Sequence, residues 1–474
     1  MPKAILDLEQ QLKSERSFCI SEMIQERSKQ IVDATKITTY ENILFDLDRK
    51  QDSLTWIIEK NYPKYYQLKH ESKIISVAGI QKKLNENTTL LEFFVSDNSI
   101  YAFTISKKEI KVTTLHALEL SKDVEALRAA IIAKNTIVFK TISYKLYGQL
   151  IAPVKDKIKG DQLIIVPDGS LWHLNFDVLL TQNDLSYDPK VLSYLLKEYA
   201  VSYASSANLL FAPSKSGLQS EKRQECLAFS FSDSEIIDAK TMSLATLRAA
   251  NYDLPGTRKE IKAISDIIDG QYYFGSQAIE ANFKKNASQY NILHLALHGD
   301  VDNEHPENSK LLFTKGNDTI EDSYLYSHEL FAMNIPAELT VLSACNTGSG
   351  KIAQGEGIMS LGNAFQYAGT KSLLLSSWEI SDQTTPELMR LFYTNLKAGM
   401  HKAKALQQAK LQYLNTANIN RTDPFYWGGF YLVGDSSPIL FKDDTMVYWV
   451  MGLGVLIILC IGVLWYQRKR RSAW

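Results

Sequence analysis

Two short apolar runs, each stopping at a reactive side chain, constrain this chain more than anything else in it. The first, residues 291–299, reads NILHLALHG, and the second, residues 339–350, reads LTVLSACNTGSG. A short apolar run ended by small residues is how a buried parallel strand delivers a side chain to the carboxyl edge of a sheet. These two deliver His298 and Cys345, 47 residues apart. A thiol attacks a carbonyl as the thiolate, and a neighbouring imidazole supplies the base and later returns the proton. Gly299 leaves its backbone N–H unshielded, so it can form an oxyanion hole together with the N–H of Cys345. Gly348 and Gly350 allow a sharp turn after the nucleophile. A lone cysteine is more often a buried structural thiol. Placement at a strand end, with a spaced His-Gly, points instead to a nucleophile at Cys345 with His298 as its base.

Three other chemistries fail on residues. His294 and His298 stand four apart as in a helical zinc site, but Leu295 occupies the place of the required glutamate and the alternation argues strand, so no metal is expected. Gly350-Lys351 faintly suggests a phosphate loop, yet Cys345 stands at its first glycine position and Ile352 replaces Ser or Thr. No serine lies in a G-x-S-x-G elbow. No cofactor is called for. His173 has no strand-end cysteine beside it and reads as a packed or surface histidine.

At 474 residues the chain exceeds one ordinary core, so two to four domains are expected. A net charge of −1 gives no electrostatic case for nucleic acid, whose binders carry a basic face. The four cysteines, Cys19, Cys226, Cys345 and Cys460, are scattered, which argues against a disulfide framework or a zinc ribbon.

Taken in order, residues 1–85 form a helical segment: charged and apolar residues mix at three-to-four spacing, with Ile5, Leu8 and Leu12 on one face. No tetratricopeptide signature occurs there. Residues 86–235 form a first α/β half. Strands flank Asp97-Asn98 as a hairpin, a third strand follows Lys107-Lys108, residues 123–154 are helix, and strands cover 162–166, 198–205 and 225–231. Residues 214–224 read as a linker or exposed loop. Residues 236–440 form the catalytic half, with helices at 260–268, 279–287, 358–367, 386–396 and 401–415, and a strand at 372–376. Strands alternating with helices imply a mostly parallel sheet.

Residues 447–465 are almost wholly apolar and long enough to cross a bilayer, with Tyr448, Trp449, Trp465 and Tyr466 as interfacial aromatics, so 446–466 is expected to be a transmembrane helix and 467–474 a basic tail. Positive charge at residues 468–471 places the tail in the cytoplasm and the catalytic part outside. The first ten residues make no signal peptide. Either a longer product carries an export signal, or the chain is tail-anchored against the charge rule.

The motifs HLALHG, VLSACNTGSG, GEGIMSLGNAFQYAGT, LLLSSWEISD, FYTNLKAG and DPFYWGGFYLVGD, in this order, resemble the CHAT domain. LIIVPDGSLWHLNFDVLL and YAVSYASSANLL resemble that family's amino-terminal half, so the likeness covers residues 144–434. The family belongs with the caspase–separase clan of cysteine peptidases, and the His-to-Cys spacing is close to the roughly fifty residues of caspases. The resemblance implies a caspase-like α/β fold preceded by a pseudo-catalytic half, a His298–Cys345 dyad, a protein substrate, an activating protein partner, and a bacterial signalling or defence role. Asn346 stands where the family often has an acid, a departure that bears on the local pocket. In related peptidases an acid beside the site selects a basic residue before the cleaved bond, which makes Asp382, Glu379 and Glu356 candidate pocket residues. Asp382 could equally cap the helix that follows it. The other reading of the chain is a catalytically latent scaffold for protein interaction.

Overall fold

The computed structural model describes residues 3–27, 29, 31–61, 74–96, 99–116, 118–211, 223–232, 254–302, 306–316, 321–343, 351–353, 357–359 and 361–441. The mixed amino-terminal pattern resolves into two long helices, Lys3–Arg27 and Ala34–Asn61. Apolar residues at helical spacing seal them to each other: Leu12 and Cys19 pack with Leu47, Leu54 and Ile58, and Ile5 joins this cluster. Leu8 is not part of the seal, being 43% exposed. Ser21 Oγ and His328 Nε2 lie 2.8 Å apart, and Gln25 donates to Asp322 at 3.1 Å, so the first helix sits on residues 322–328.

Strands β1 (Thr88–Val95), β2 (Ile100–Ile105) and β3 (Ile110–Leu115) form the expected meander. The helix expected over 123–154 is instead two helices, Leu120–Ile132 and Thr136–Leu150. The break has a local cause: Lys134 takes a left-handed φ of 54°, and Asn135 caps the second helix by accepting from the Val138 N–H at 3.2 Å. β4 (Gln162–Val166), β5 (Ala200–Tyr203) and β6 (Gln224–Ser230) follow, then helix Pro255–Ser265, β7 (Gly270–Phe274), helix Glu280–Asn286, β8 (Tyr290–Ala296) and β9 (His298–Asp300). An excursion not foreseen from the sequence carries β10 (Lys310–Leu312) and β11 (Tyr324–Tyr326), which complete a three-stranded sheet with β9. β12 (Leu339–Leu342) is followed by a small hairpin of β13 (Lys351–Ala353) and β14 (Gly357–Met359), so the helix expected from 358 begins at Leu361. β15 (Ser372–Ser376), helices Thr385–Lys397 and Lys402–Thr416, and β16 (Phe430–Gly434) end the fold.

The main sheet has eleven strands in the order β3-β2-β1-β4-β5-β16-β15-β12-β8-β6-β7. Pairing is parallel through β1-β4-β5-β16 and again through β15-β12-β8-β6-β7, with one antiparallel contact, β15 to β16, between them. The chain is thus α/β, with a large, mostly parallel sheet flanked by helices. The two halves expected on either side of residue 235 share this sheet. β6, which precedes that boundary, pairs with β7 and β8, while β16 from the far end of the chain joins β5 to β15. All of this lies within one compact unit, Met1–Ile439.

Buried polar groups pair across the seam. Lys410, with no exposed surface, donates to Asp177 and to the Phe430 carbonyl, the latter at 2.7 Å. Ser377 donates to Asn175 at 2.8 Å, Asn175 donates to the Gly428 carbonyl, and Tyr203 packs edge-on against Tyr431. Among the described residues no helix is long and apolar enough to cross a membrane. The span expected over 446–466 and the tail 467–474 lie outside the described residues, and the membrane reading draws no support from the structure.

Candidate active site

Four parallel strands, β6, β8, β12 and β15, end at one edge of the sheet. Their register aligns Ser230 with Ala296 and Leu342 with Leu295. Backbone bonds continue one residue beyond the ladder, from Phe231 N–H to the Ala296 carbonyl and from Ser343 N–H to the Leu295 carbonyl, each 3.0 Å. His298 and Cys345 therefore each follow a paired position, Leu295 and Leu342, by three residues. Cys345 itself, within 344–350, lies outside the described residues, as does Glu356.

His298 opens β9, where it pairs with Leu312 of β10, and Gly299 pairs with Leu311. The imidazole is half-buried, and the Phe231 ring meets it edge-on, with centroids 4.6 Å apart and planes at 82°. Ser343 is buried, and its hydroxyl has no hydrogen-bond partner among the described residues.

Of the acids expected to border the site, Glu379 is exposed. Asp382 is half-buried, and its carboxylate accepts from the Gly256 N–H at 2.9 Å, so it holds the start of helix Pro255–Ser265 rather than the helix that follows it. Only glycine fits there: a Cβ on Gly256 would stand 2.0 Å from the Asp382 carbonyl oxygen and 2.2 Å from its Oδ1.

The other histidines are occupied elsewhere. His294 is fully buried, with Nδ1 2.8 Å from the Tyr393 hydroxyl and Nε2 2.9 Å from Glu260, so both ring nitrogens are engaged in holding β8 to two helices. His173 ends the Gly169–His173 turn of the amino-terminal half, and burial, with Arg128 nearby, pushes its imidazole below the ordinary value.

Two features were missed by sequence reasoning. The Phe231–His298 contact joins segments 67 residues apart, and no pattern within either announces it. The second is a cluster in which the Lys284 ammonium lies 2.7 Å from Glu280, 2.6 Å from Glu321 and 2.8 Å from Glu329. The three carboxylates converge as a cation site would, but the lysine already stands among them. Burial pushes the Glu280 carboxyl up to about 8 against the pull of Lys284. The i,i+4 spacing of Glu280 and Lys284 was visible; their convergence with the later excursion was not.

A sheet of this order is that of an α/β protein, with a His-Gly and, in the sequence, a Cys-containing segment following neighbouring parallel strands. The CHAT domain model matches residues 140–435, and the chain belongs to the CHAT family. It is similar to human Tetratricopeptide repeat protein 28, at 22% identity over 330 residues that cover 61% of this chain and 13% of that protein. It is also similar to the mouse protein of the same name, at 20% over 406 residues covering 77% and 15%. The chain thus spans about a seventh of the length of these curated relatives. Among solved structures it resembles the Arg specific cysteine proteinase gingipain R, with 10% identity, a TM-score of 0.38, and coverage of 64% of this chain and 68% of that one. It also resembles the Saccharomyces cerevisiae separase–securin complex, with 12% identity, a TM-score of 0.36, and coverage of 89% and 27%.

Proposed function

We propose that the protein is a cysteine endopeptidase of CHAT type that cleaves a protein partner. Cys345 is the nucleophile, His298 its general base, and the N–H groups of Gly299 and Cys345 stabilise the oxyanion. The observation that supports this reading is the register of β8 on β12, which pairs Leu295 with Leu342, three residues before His298 and Cys345 in the sequence. The test is labelling of the full chain with a thiol-directed electrophile, followed by mass spectrometry of the Cys345 peptide. Cys345→Ala abolishes the label and cleavage, and His298→Ala slows both; a His298→Ala variant labelled as fast as wild type ends the peptidase reading.

Asp382 forms part of the first substrate pocket and favours Arg or Lys before the cleaved bond, since a desolvated guanidinium needs a counter-charge. Its half-buried carboxylate at the carboxyl side of β15 supports this role. Asp382→Ala then cuts activity on basic peptides more than on neutral ones, and an unchanged preference moves the pocket elsewhere. Residues 446–466 tether the enzyme to a membrane, in a bacterial signalling or defence setting with an activating protein partner. Protease protection of intact spheroplasts tests the tether and its side.

The second reading, a latent scaffold for protein interaction, is favoured by one observation: the matched curated relatives are named tetratricopeptide repeat proteins. Absence of label at Cys345 with the fold intact supports it.

A further inference from the structure

We infer that Phe231 is a positioning residue for the His298 imidazole, an inference that rests on the peptidase reading. The backbone that carries Phe231 is fixed on both sides. On the strand side its N–H donates to the Ala296 carbonyl at 3.0 Å, tying it to β8 two residues before His298. On the helix side, buried hydroxyls close a small network. Ser230 Oγ donates to the Ser232 carbonyl at 2.7 Å and lies 3.0 Å from Thr257 Oγ. Thr257 Oγ accepts from the Ser232 N–H at 3.3 Å and donates to the Leu254 carbonyl at 2.6 Å. Ser230, Ser232 and Thr257 are all buried, so the network holds the turn rigidly against helix Pro255–Ser265.

From that fixed turn the Phe231 ring stands edge-on to the imidazole at 4.6 Å, within the range preferred by aromatic pairs. Pairing of His298 with Leu312 settles the backbone of the histidine but leaves its ring torsions to be settled by neighbours, and the outer torsion is intrinsically broad. A hydrocarbon ring has no hydrogen bond to offer. It acts by shape, closing off rotations while leaving both nitrogens to polar partners. A base serves only when held within hydrogen-bond reach of the thiol, so a wall that narrows its orientation acts on the rate of thiolate formation.

The test uses the full chain carrying ring-labelled histidine, in wild type and in the Phe231→Leu, Phe231→Tyr and His298→Ala variants. Absence of one resonance in His298→Ala assigns the His298 signal. The pH profile of Cys345 alkylation by iodoacetamide is read by mass spectrometry. The expected result is a moved His298 resonance in Phe231→Leu and alkylation about tenfold slower at pH 7, with the profile displaced towards the free-thiol value of about 8.5. Phe231→Tyr, which keeps the ring, restores both. The inference is overturned if Phe231→Leu matches wild type while His298→Ala is slowed, or if Phe231→Tyr is as slow as Phe231→Leu. If His298→Ala is not slowed, there is no base to position and the peptidase reading falls first.

Discussion

Lys410 offers the sharpest test of how the two halves of the sheet hold together. Its ammonium is fully buried and meets Asp177 of the amino-terminal half and the Phe430 carbonyl that begins β16. Lys410→Met removes the charge and keeps most of the volume, leaving the Asp177 carboxylate uncompensated in a site where its other oxygen, Oδ1, already lacks a partner. Breaking a buried pair from one side costs about 3–5 kcal/mol. With an unfolding entropy of about 2.1 cal/mol/K per residue over a unit of this size, about 4 kcal/mol lowers Tm by roughly 4 °C. The double variant Lys410→Met/Asp177→Leu removes both charges and recovers most of the loss, because two apolar groups need no partners. Urea unfolding followed by circular dichroism and by tryptophan fluorescence measures both variants, and the two probes should coincide if the shared sheet unfolds as one. A single variant within about 1 kcal/mol of wild type, or a double variant as unstable as the sum of two singles, would refute this account of the seam.

Further outcomes follow from the same geometry. Glu280 is raised from 4.5 to about 8 by burial, so its contribution to stability is complete below about 4.5 and is lost as pH rises through about 8. Glu280→Gln should flatten the wild-type fall in urea midpoint between pH 5 and pH 9, and a parallel fall in both proteins rejects the assignment. Ser343→Ala removes a buried hydroxyl with no partner among the described residues, so the unfolding free energy should stay level or rise by up to about 1 kcal/mol. Gly256→Ala drives a Cβ into Asp382 and should cost about 1–3 kcal/mol, read as the same midpoint.

Much of this architecture is legible where periodicity is local. β15 falls on the residues 372–376 expected of it, and helix Thr385–Lys397 lies within one residue of its expected bounds at each end. The strand ending near His298 is visible because the alternation in residues 291–296 stops at a glycine. What escapes the sequence is non-local or too short to have a period. β9, β10 and β11 have three residues each, and no window that small distinguishes strand from loop. The place of β16 beside β5 depends on a pairing across 230 residues, Tyr203 with Val433. Lys402 and Lys410 are fully buried in the helix expected over 401–415, because acceptors from distant segments, Asp435 and Asp177, meet them there. At the site, the same holds for Asp382: its capping of the next helix was a reasonable local expectation, and a glycine 126 residues earlier overrides it.

The antiparallel contact of β15 with β16 also explains how the halves divide the work. β6, β8, β12 and β15 run together, so Phe231, His298 and Asp382, which follow three of them, start from one edge. β1, β4 and β5 run the opposite way, and their carboxyl ends face the other edge. A segment that follows β4 reaches the edge where β15 ends by folding back over the sheet. It is residues 169–178: Asn175 takes the Ser377 hydroxyl just beyond β15, and the Gly169–His173 turn lies beside β13 and β14. The amino-terminal half therefore packs against this edge as well as sharing the core. Loss of that half removes the partners of Lys410 and Ser377 together with the sheet edge that β16 covers, so the carboxyl-terminal half has no intact surface on which to stand alone.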